Sequence, residues 1–171
     1  APAAPTAAEE GEGRKTTILQ SEYDDRDVGK EASKSVAGQI GLIEDEELTA
    51  YVNAIGPKLL RAIPMRSFQY KLRVVDQVEP NALALPGGFI FISRGLLALT
   101  NNEDELACVL GHEITHVAKR HAAAQQGVQR GQFPLLGPWM RAGRMAAYSR
   151  DLERSADRGG QILCAAAGYD P

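Results

Sequence analysis

The chain of 171 residues lacks the features that mark several whole classes of protein. No apolar run approaches the roughly 20 residues that cross a bilayer, and the first residues lack the basic and apolar regions of a signal peptide. No CxxC pair is present, which excludes a thiolate metal cluster or redox motif of that type. Positive charge is not in excess, because 19 Lys and Arg oppose 22 Asp and Glu for a net charge of -3. We therefore expect no nucleic-acid partner.

The remaining composition is that of one folded domain. Hydrophobic residues make up 44% of the chain, enough at this length to bury one substantial core. Residues 1–20 begin with Ala, Pro, Glu and Gly and have no apolar periodicity. Such a composition predicts a flexible tail. We expect a tail at 1–20 and a single domain at 21–171.

Helical periodicity begins near Asp24 and returns after the acidic residues Glu44–Glu47. The second helix should be closed by Pro64. Its apolar positions fall on one face, as in an ordinary core helix: Leu48, Tyr51, Val52, Ile55, Leu59 and Leu60. Residues 68–75 then alternate with the period of a half-buried strand. Residues 81–93 hold two β-prone runs around Pro86-Gly87-Gly88, which predicts a hairpin.

Two further helices are predicted in the second half of the chain. Asn102 and Glu105 form a capping box for a helix that should run from Glu103 into the alanines at 122–124. Residues 127–143 hold four Gly and two Pro without a clear period and should form a loop. A last helix should run from 149 to 167 and end at Gly168.

The first of these helices carries an HExxH motif, His112-Glu113-Ile114-Thr115-His116. Helical residues four apart lie about 40° apart around the axis and about 6 Å along it, so both imidazoles can bind one ion. A catalytic zinc ion takes three protein ligands and a water. Glu113 lies about 100° from His112 and can accept a proton from that water. Two incidental histidines in a core helix are the alternative, which the rarity of the motif disfavours.

A third ligand is needed, and two nearby candidates fail. His121 would point about 180° from His112 if the helix continues, so it could not bind the same ion. The metzincin pattern requires Gly at position 119 and His at position 122, where this chain has Lys119 and Ala122. The third ligand must therefore come from farther along the chain.

Glu153 and Asp157 put two carboxylates on one face of the last helix. Alone, they would be a solvated acidic pair beside Arg150, Arg154 and Arg158. A role in the metal site is favoured instead because the HExxH motif lacks a third ligand. Gly160 on the same stripe also permits close approach of a second helix. We predict that Glu153 is a ligand and that Asp157 accepts a hydrogen bond from a ligating imidazole.

The two cysteines, Cys108 and Cys164, lie on the same helical stripes as these residues. In an antiparallel pair of helices, Cys108 would lie about 6 Å from His112 along its axis and Cys164 about 16 Å from Glu153. This mismatch favours buried free thiols. A disulfide is the alternative if the compartment is oxidising.

The chain resembles the zinc metallopeptidases that include HtpX, the CAAX prenyl endopeptidase, the mitochondrial Oma protease and the periplasmic BepA-type proteases. The matching motifs span most of the chain in order: Asn81-Ala-Leu-Ala-Leu-Pro-Gly-Gly-Phe-Ile-Phe-Ile, Arg94-Gly-Leu-Leu, Glu105-Leu-Ala, Gly111-His-Glu-Ile-Thr-His-Val, Arg120-His, Tyr148-Ser-Arg, Glu153, Ala156-Asp-Arg and Ala167-Gly-Tyr-Asp-Pro. The resemblance implies an α+β zincin-like fold, mostly helical, with a small sheet beside the HExxH helix. It also implies His112, His116 and Glu153 as ligands of one Zn²⁺ per chain and Glu113 as the base.

Because the chain lacks membrane-spanning segments, it looks more like the soluble periplasmic branch of this family. That resemblance implies an exported form in the periplasm or cell envelope of a bacterium. Two departures predict a fragment. The stretch from His116 to Glu153 is short for the family, and relatives continue beyond Pro171.

The expected activity is zinc-dependent hydrolysis of peptide bonds in protein substrates, in envelope protein quality control. Candidate stabilisers of the transition state are Tyr148, Arg150 and His121. An extended peptide could pair with the edge of the strand formed by Phe89, Ile90, Phe91, Ile92 and Ser93. Two alternatives are a zinc-containing chaperone or adaptor for unfolded envelope proteins and a latent protease blocked by the loop at 127–143.

Overall fold

The fold is described by a computed structural model for residues 22–64, 69–128 and 148–171. In chain order its elements are α1 (Glu22–Ile40), α2 (Glu46–Leu60), β1 (Lys71–Val75), β2 (Ala82–Leu85), β3 (Phe89–Ser93), α3 (Arg94–Leu99), α4 (Glu103–Ala118), α5 (His121–Val128) and α6 (Arg150–Ala167), with a 3₁₀ turn at Pro86–Gly88. The α+β class is confirmed, with mostly helices and a small sheet. The predicted tail at 1–20 lies outside the described residues. Within the described ranges, no helix is long and apolar enough to cross a membrane.

The three strands form one sheet in the order β1-β3-β2. β2 and β3 are antiparallel across Pro86–Gly88, which confirms the predicted hairpin. β1 pairs in parallel with β3, with Leu72 opposite Ile90. The strand predicted at 68–75 is described from Lys71 onward, and Phe68 lies outside the described residues. β3 is therefore the central strand.

The sheet has a hydrophobic core on each face because side chains alternate along its strands. One core joins the sheet to α2, α4 and α6 through Val52, Ile55, Leu59, Leu72, Ile90, Ile92, Leu106, Leu110, Ile114 and Leu163. The other lies under α1 and contains Ala32, Val36, Leu83, Leu85 and Phe91. The sheet is thus a middle layer, with α1 on one face and the HExxH helix α4 on the other.

Two helix boundaries differ from the predictions. α2 ends at Leu60, where Arg61 caps it, rather than at Pro64. α4 ends at Ala118 instead of continuing to 122–124, and Arg120 takes a left-handed φ of 52° before α5 begins. No Gly or Pro marks this break, so the helical period gave no sign of it.

The predicted loop at 127–143 is wrong at its start, because α5 continues through Val128. The remainder of that loop lies outside the described residues. The last helix agrees with its prediction. Ser149 caps its N-terminus, and Gly168 ends it with a left-handed φ of 87°.

Candidate metal centre

α4 presents His112 and His116 from consecutive turns. The Asn102 side chain caps the helix by accepting a hydrogen bond from the Glu105 N–H at 2.9 Å, and the opposite face of α4 is buried in the core. The Nε2 atoms of the two histidines lie 2.9 Å apart. Both imidazoles therefore point at one position, as the motif predicts.

Glu153 reaches the same position from α6. Its Oε2 lies 3.4 Å from His112 Nε2 and 3.8 Å from His116 Nε2. One ligand atom from each of the three residues lies within 4.8 Å of the other two. In the part of the chain that the structure describes, these are the only three His, Cys, Asp or Glu residues grouped in this way. The three predicted ligands are thus brought together.

Two glycines allow α4 and α6 to pack this closely. A Cβ added to Gly160 would lie 2.8 Å from the backbone nitrogen of His112, and a Cβ added to Gly111 would lie 2.9 Å from the Gly160 carbonyl oxygen. Backbone atoms at these distances leave no room for a side chain. The close approach predicted from Gly160 is confirmed, and it brings α6 within reach of the histidines.

Asp157 contacts His112 as predicted. Its Oδ1 lies 2.9 Å from His112 Nδ1. An ionised carboxylate only accepts hydrogen bonds, so Nδ1 must carry the proton and Nε2 keeps its lone pair. This arrangement points the free lone pair of His112 at the centre.

Tyr148 supports two of the three ligands directly. Its ring stacks on His116 with centroids 4.3 Å apart and planes 18° apart. Its backbone N–H donates a hydrogen bond to the Glu153 carboxylate. Burial, and then the charges of Glu113 and Glu153, raises the pKa of the Tyr148 phenol. These contacts hold the ligands in place, which the sequence, with Tyr148 isolated before α6, did not indicate.

His121 lies against His116 rather than away from the site. Its Nδ1 is 2.9 Å from His116 Nδ1, and it is 3% exposed. Because α4 ends before His121, the prediction that this side chain points away from the centre was wrong. His116 Nε2 faces the centre; with that nitrogen bound to a metal ion, His116 Nδ1 would carry the hydrogen and donate a hydrogen bond to His121 Nδ1. His121 is thus a hydrogen-bond partner of a ligand, and it does not belong to the group of three.

Glu113 lies between the two histidines in sequence and is 4% exposed. The Ala84 N–H donates a hydrogen bond to its carboxylate, while its Oε2 has no hydrogen-bond partner among the described residues. Burial, and then the charge of Glu153, raises the pKa of Glu113 to about 8. A carboxylate with an unused acceptor at this position is suited to take up a proton.

The donor set fits a divalent metal ion. Two neutral imidazoles and one carboxylate are the ligands of many catalytic zinc sites. Burial, and then the charges of His112 and His121, lowers the pKa of His116 to about 3, so its imidazole is neutral near pH 7. Burial also raises the pKa of Glu153, a cost that a cation would offset. The buried Oε2 of Glu113, which has no hydrogen-bond partner among the described residues, is a second, independent indication of a metal-ion site.

The predicted substrate strand, Phe89, Ile90, Phe91, Ile92 and Ser93, does not have a free edge. This strand is β3, and its backbone pairs with β1 on one side and β2 on the other. A peptide cannot add to it, so that prediction was wrong. Within the described residues β2 has a strand partner on one side only, and its Ala84 N–H points to Glu113. Among the described residues, the edge strand beside the centre is therefore β2, whose side chains are buried.

Arg150 is exposed in the first turn of α6, two residues after Tyr148. Its role as a stabiliser of the transition state stays a prediction.

The two cysteines face each other across α4 and α6 as free thiols, with their Sγ atoms 2.8 Å apart. The predicted mismatch in their positions was wrong. It assumed that His112 lies level with Glu153, whereas His112 packs against Gly160, and this brings Cys164 level with Cys108.

We expect oxidised glutathione to convert this thiol pair into a disulfide, releasing two molecules of reduced glutathione. The bond would join residues 56 apart in sequence, and closing such a loop should stabilise the fold by about 4 kcal/mol. Thermal unfolding with and without dithiothreitol measures the effect, with Cys164→Ser as the control. An equal change in the control would show that the pair is not its cause.

Comparison with known proteins gives several curated relatives. The mitochondrial metalloendopeptidase OMA1 of Schizosaccharomyces pombe is 29% identical over 161 residues, covering 84% of this chain and 48% of the relative. The beta-barrel assembly-enhancing protease of Escherichia coli (strain K12) is 28% identical over 162 residues, covering 81% and 33%. The Yersinia pestis protein of the same name is 37% identical over 94 residues, covering 55% and 19%. The chain thus spans about half of the first relative and a third or less of the others.

Residues 46–138 match the sequence profile described as Peptidase family M48. The match covers more than half of the chain and includes the hairpin and the HExxH helix. Family, fold and side-chain geometry agree. The chain belongs to peptidase family M48, a family of metal-dependent peptidases with a zincin-like fold.

Proposed function

We propose that this chain is the catalytic part of a zinc-dependent endopeptidase that hydrolyses peptide bonds in protein substrates. The convergence of His112, His116 and Glu153 beside the buried Glu113 carries the proposal. One zinc ion held by these three residues would polarise the scissile carbonyl and lower the pKa of a bound water. The relatives are named as a metalloendopeptidase and a protease, which supports the same reaction.

Glu113 has the position of the general base. Its carboxylate takes the proton of the attacking water and later donates it to the leaving amine. The Ala84 N–H holds one side of the carboxylate, and the unpartnered Oε2 is available for the proton. Asp157 and Tyr148 keep the ligands oriented. The contacts of Tyr148 and His121 with His116 favour positioning over stabilisation of the transition state, which leaves Arg150 as the candidate for that role.

In this proposal an extended substrate backbone lies along β2. An extended peptide that adds to a free strand edge is bound through main-chain hydrogen bonds, which gives little sequence preference. The edge of β2 that faces Glu113 brings such a peptide next to the centre. A small cavity lined by Ala84, Leu85, Pro86 and His116 lies beside it, with room for about one water molecule. Slower hydrogen exchange of the β2 amides in the presence of a bound peptide tests this placement.

The bacterial relatives support a location in the periplasm or cell envelope and a role in envelope protein quality control. Their name, beta-barrel assembly-enhancing protease, refers to the assembly of beta-barrels. The S. pombe relative is named mitochondrial, so the location is part of the proposal. Detection of the protein in the periplasmic fraction of its host tests it.

Zinc content and casein hydrolysis of the full chain test the proposed function. We expect the wild type to bind about one zinc ion and to hydrolyse casein, with loss of activity in a chelator and recovery in zinc. Glu153→Ala should lose the metal and the activity. Asp151→Ala is the matched control, since Asp151 is an exposed acidic residue in the first turn of the same helix. A wild type without zinc or hydrolysis would refute the function, and a fully active Glu153→Ala would refute the third ligand.

A further inference from the structure

A partly buried ion pair joins α1 to the turn that follows the HExxH helix. Arg120 donates from Nε and Nη2 to the two carboxylate oxygens of Asp25, with the Nη2 contact at 2.9 Å. The Asp25 side chain is 5% exposed and that of Arg120 is 27% exposed. A carboxylate this deeply buried is tolerated only when it is paired. The two-point contact therefore fixes the guanidinium group relative to α1.

Arg120 also has an unusual backbone. Its φ of 52° is the only left-handed value at a non-glycine residue in the described ranges. An L-residue with a side chain resists this conformation, so surrounding contacts must maintain it. The pair with Asp25 supplies such a contact.

The left-handed residue decides where His121 lies. In a continuous helix, His121 would lie about 140° around the axis from His116, and the two rings could not meet. Because the chain turns at Arg120, His121 Nδ1 comes within 2.9 Å of His116 Nδ1. It is the acceptor that orients the His116 ring and keeps the proton on Nδ1.

The segment of α1 that carries Asp25 packs closely on the turn at Pro86–Gly88. A Cβ on Gly29 would lie 1.8 Å from the Pro86 carbonyl oxygen, and a Cβ on Gly87 would lie 2.6 Å from the Arg26 Cα. α1 thus packs by backbone contact on the turn between β2 and β3. Asp25 is held by the same sheet that carries Ala84.

We propose that Asp25 and Arg120 are positioning residues for the metal centre and that they act on His116 through His121. α1, which contributes no ligand, thereby takes part in forming the site. The proposal rests on the proposed zinc site. If the ion pair were purely structural, breaking it would lower the stability of the fold and leave the affinity for zinc unchanged.

A double-mutant cycle on zinc affinity separates these two roles. The dissociation constant of Zn²⁺ is measured by competition with a chromophoric chelator for the wild type, Asp25→Asn, His121→Ala and the double variant, and the melting temperature of each metal-free protein is recorded. Partners of metal ligands contribute about 10- to 100-fold in affinity, so we expect a loss of that size in His121→Ala and weaker zinc binding, by no more than that factor, in Asp25→Asn. In the His121→Ala background the same substitution should have no further effect on zinc affinity.

Asp76→Asn is the matched control, because it breaks an exposed pair with Arg94. Its zinc affinity should equal that of the wild type. Wild-type affinity in Asp25→Asn, or an equal loss with and without His121, would overturn the inference. If Asp25→Asn does not fold, Arg120→Lys replaces it in the cycle, since lysine keeps the charge but loses the two-point contact. Failure of the wild type to bind zinc would instead refute the proposed function.

Discussion

Glu113→Gln is expected to keep its zinc and to lose casein hydrolysis by about 10²- to 10⁴-fold in kcat, the contribution of a general acid-base group. Glutamine has the same length and can still accept the hydrogen bond from the Ala84 N–H. It cannot take up the proton of the attacking water. Folding should not suffer, because the substitution removes a buried carboxyl whose pKa is raised to about 8. Elemental analysis and initial rates on the same samples measure both effects.

The control is Glu47→Gln, an exposed glutamate in the first turn of α2, which should leave zinc content and rate unchanged. The same Glu113→Gln protein also tests the chaperone or adaptor alternative. Protection of unfolded client proteins that depends on this carboxylate would argue against that alternative, because binding without hydrolysis has no need of a base. A variant that keeps zinc and full activity would show that another group takes the proton.

Gly160→Ala is expected to lower the free energy of unfolding by about 1 to 3 kcal/mol, the usual cost of overpacking a tight interface. The added Cβ would lie 2.8 Å from the backbone nitrogen and 3.0 Å from the Cα of His112, and neither atom can move without shifting α4. Because that shift displaces a ligand, zinc affinity should fall in the same variant. Urea unfolding and chelator competition give the two quantities.

Gly38→Ala in α1 provides the matched comparison. A Cβ there meets nothing within 4 Å, so the substitution should show only the helix-forming advantage of alanine, up to about 1 kcal/mol. Opposite signs at Gly160 and Gly38 would establish that the contact between helices causes the loss. A Gly160→Ala protein as stable as the wild type would mean that α4 and α6 lie farther apart.

The sequence specifies local features of this protein well. The Pro86-Gly87-Gly88 turn, the Asn102 cap and the Gly168 stop each depend on the chemistry of a few adjacent residues, and all are present. The ligand group could also be predicted, since HExxH fixes two ligands on one helix and only one pair of later carboxylates lies on a suitable face. Gly160 then indicated which face of α6 meets α4.

What the sequence does not reveal depends on contacts between distant segments. The order β1-β3-β2 makes β3 the central strand, and nothing within Phe89–Ser93 distinguishes a central strand from an edge strand. The break at Arg120 is stabilised by Asp25 from the opposite layer. The helical periodicity of the sequence around Arg120 therefore does not indicate it. The offset of α4 along α6 is set by the contact between Gly160 and the His112 backbone. The sequence instead suggested that His112 lies level with its proposed fellow ligand Glu153.

The redox state of the facing cysteines Cys108 and Cys164 should depend on the compartment in which the protein resides. In a compartment kept reducing by thiols, the two cysteines stay reduced, whereas an oxidising compartment drives such a pair to the disulfide. Alkylation of protein taken directly from its host, followed by mass measurement, distinguishes the two states. The redox state of this cysteine pair thus indicates the compartment in which the protein resides, and measuring it requires no knowledge of the substrate.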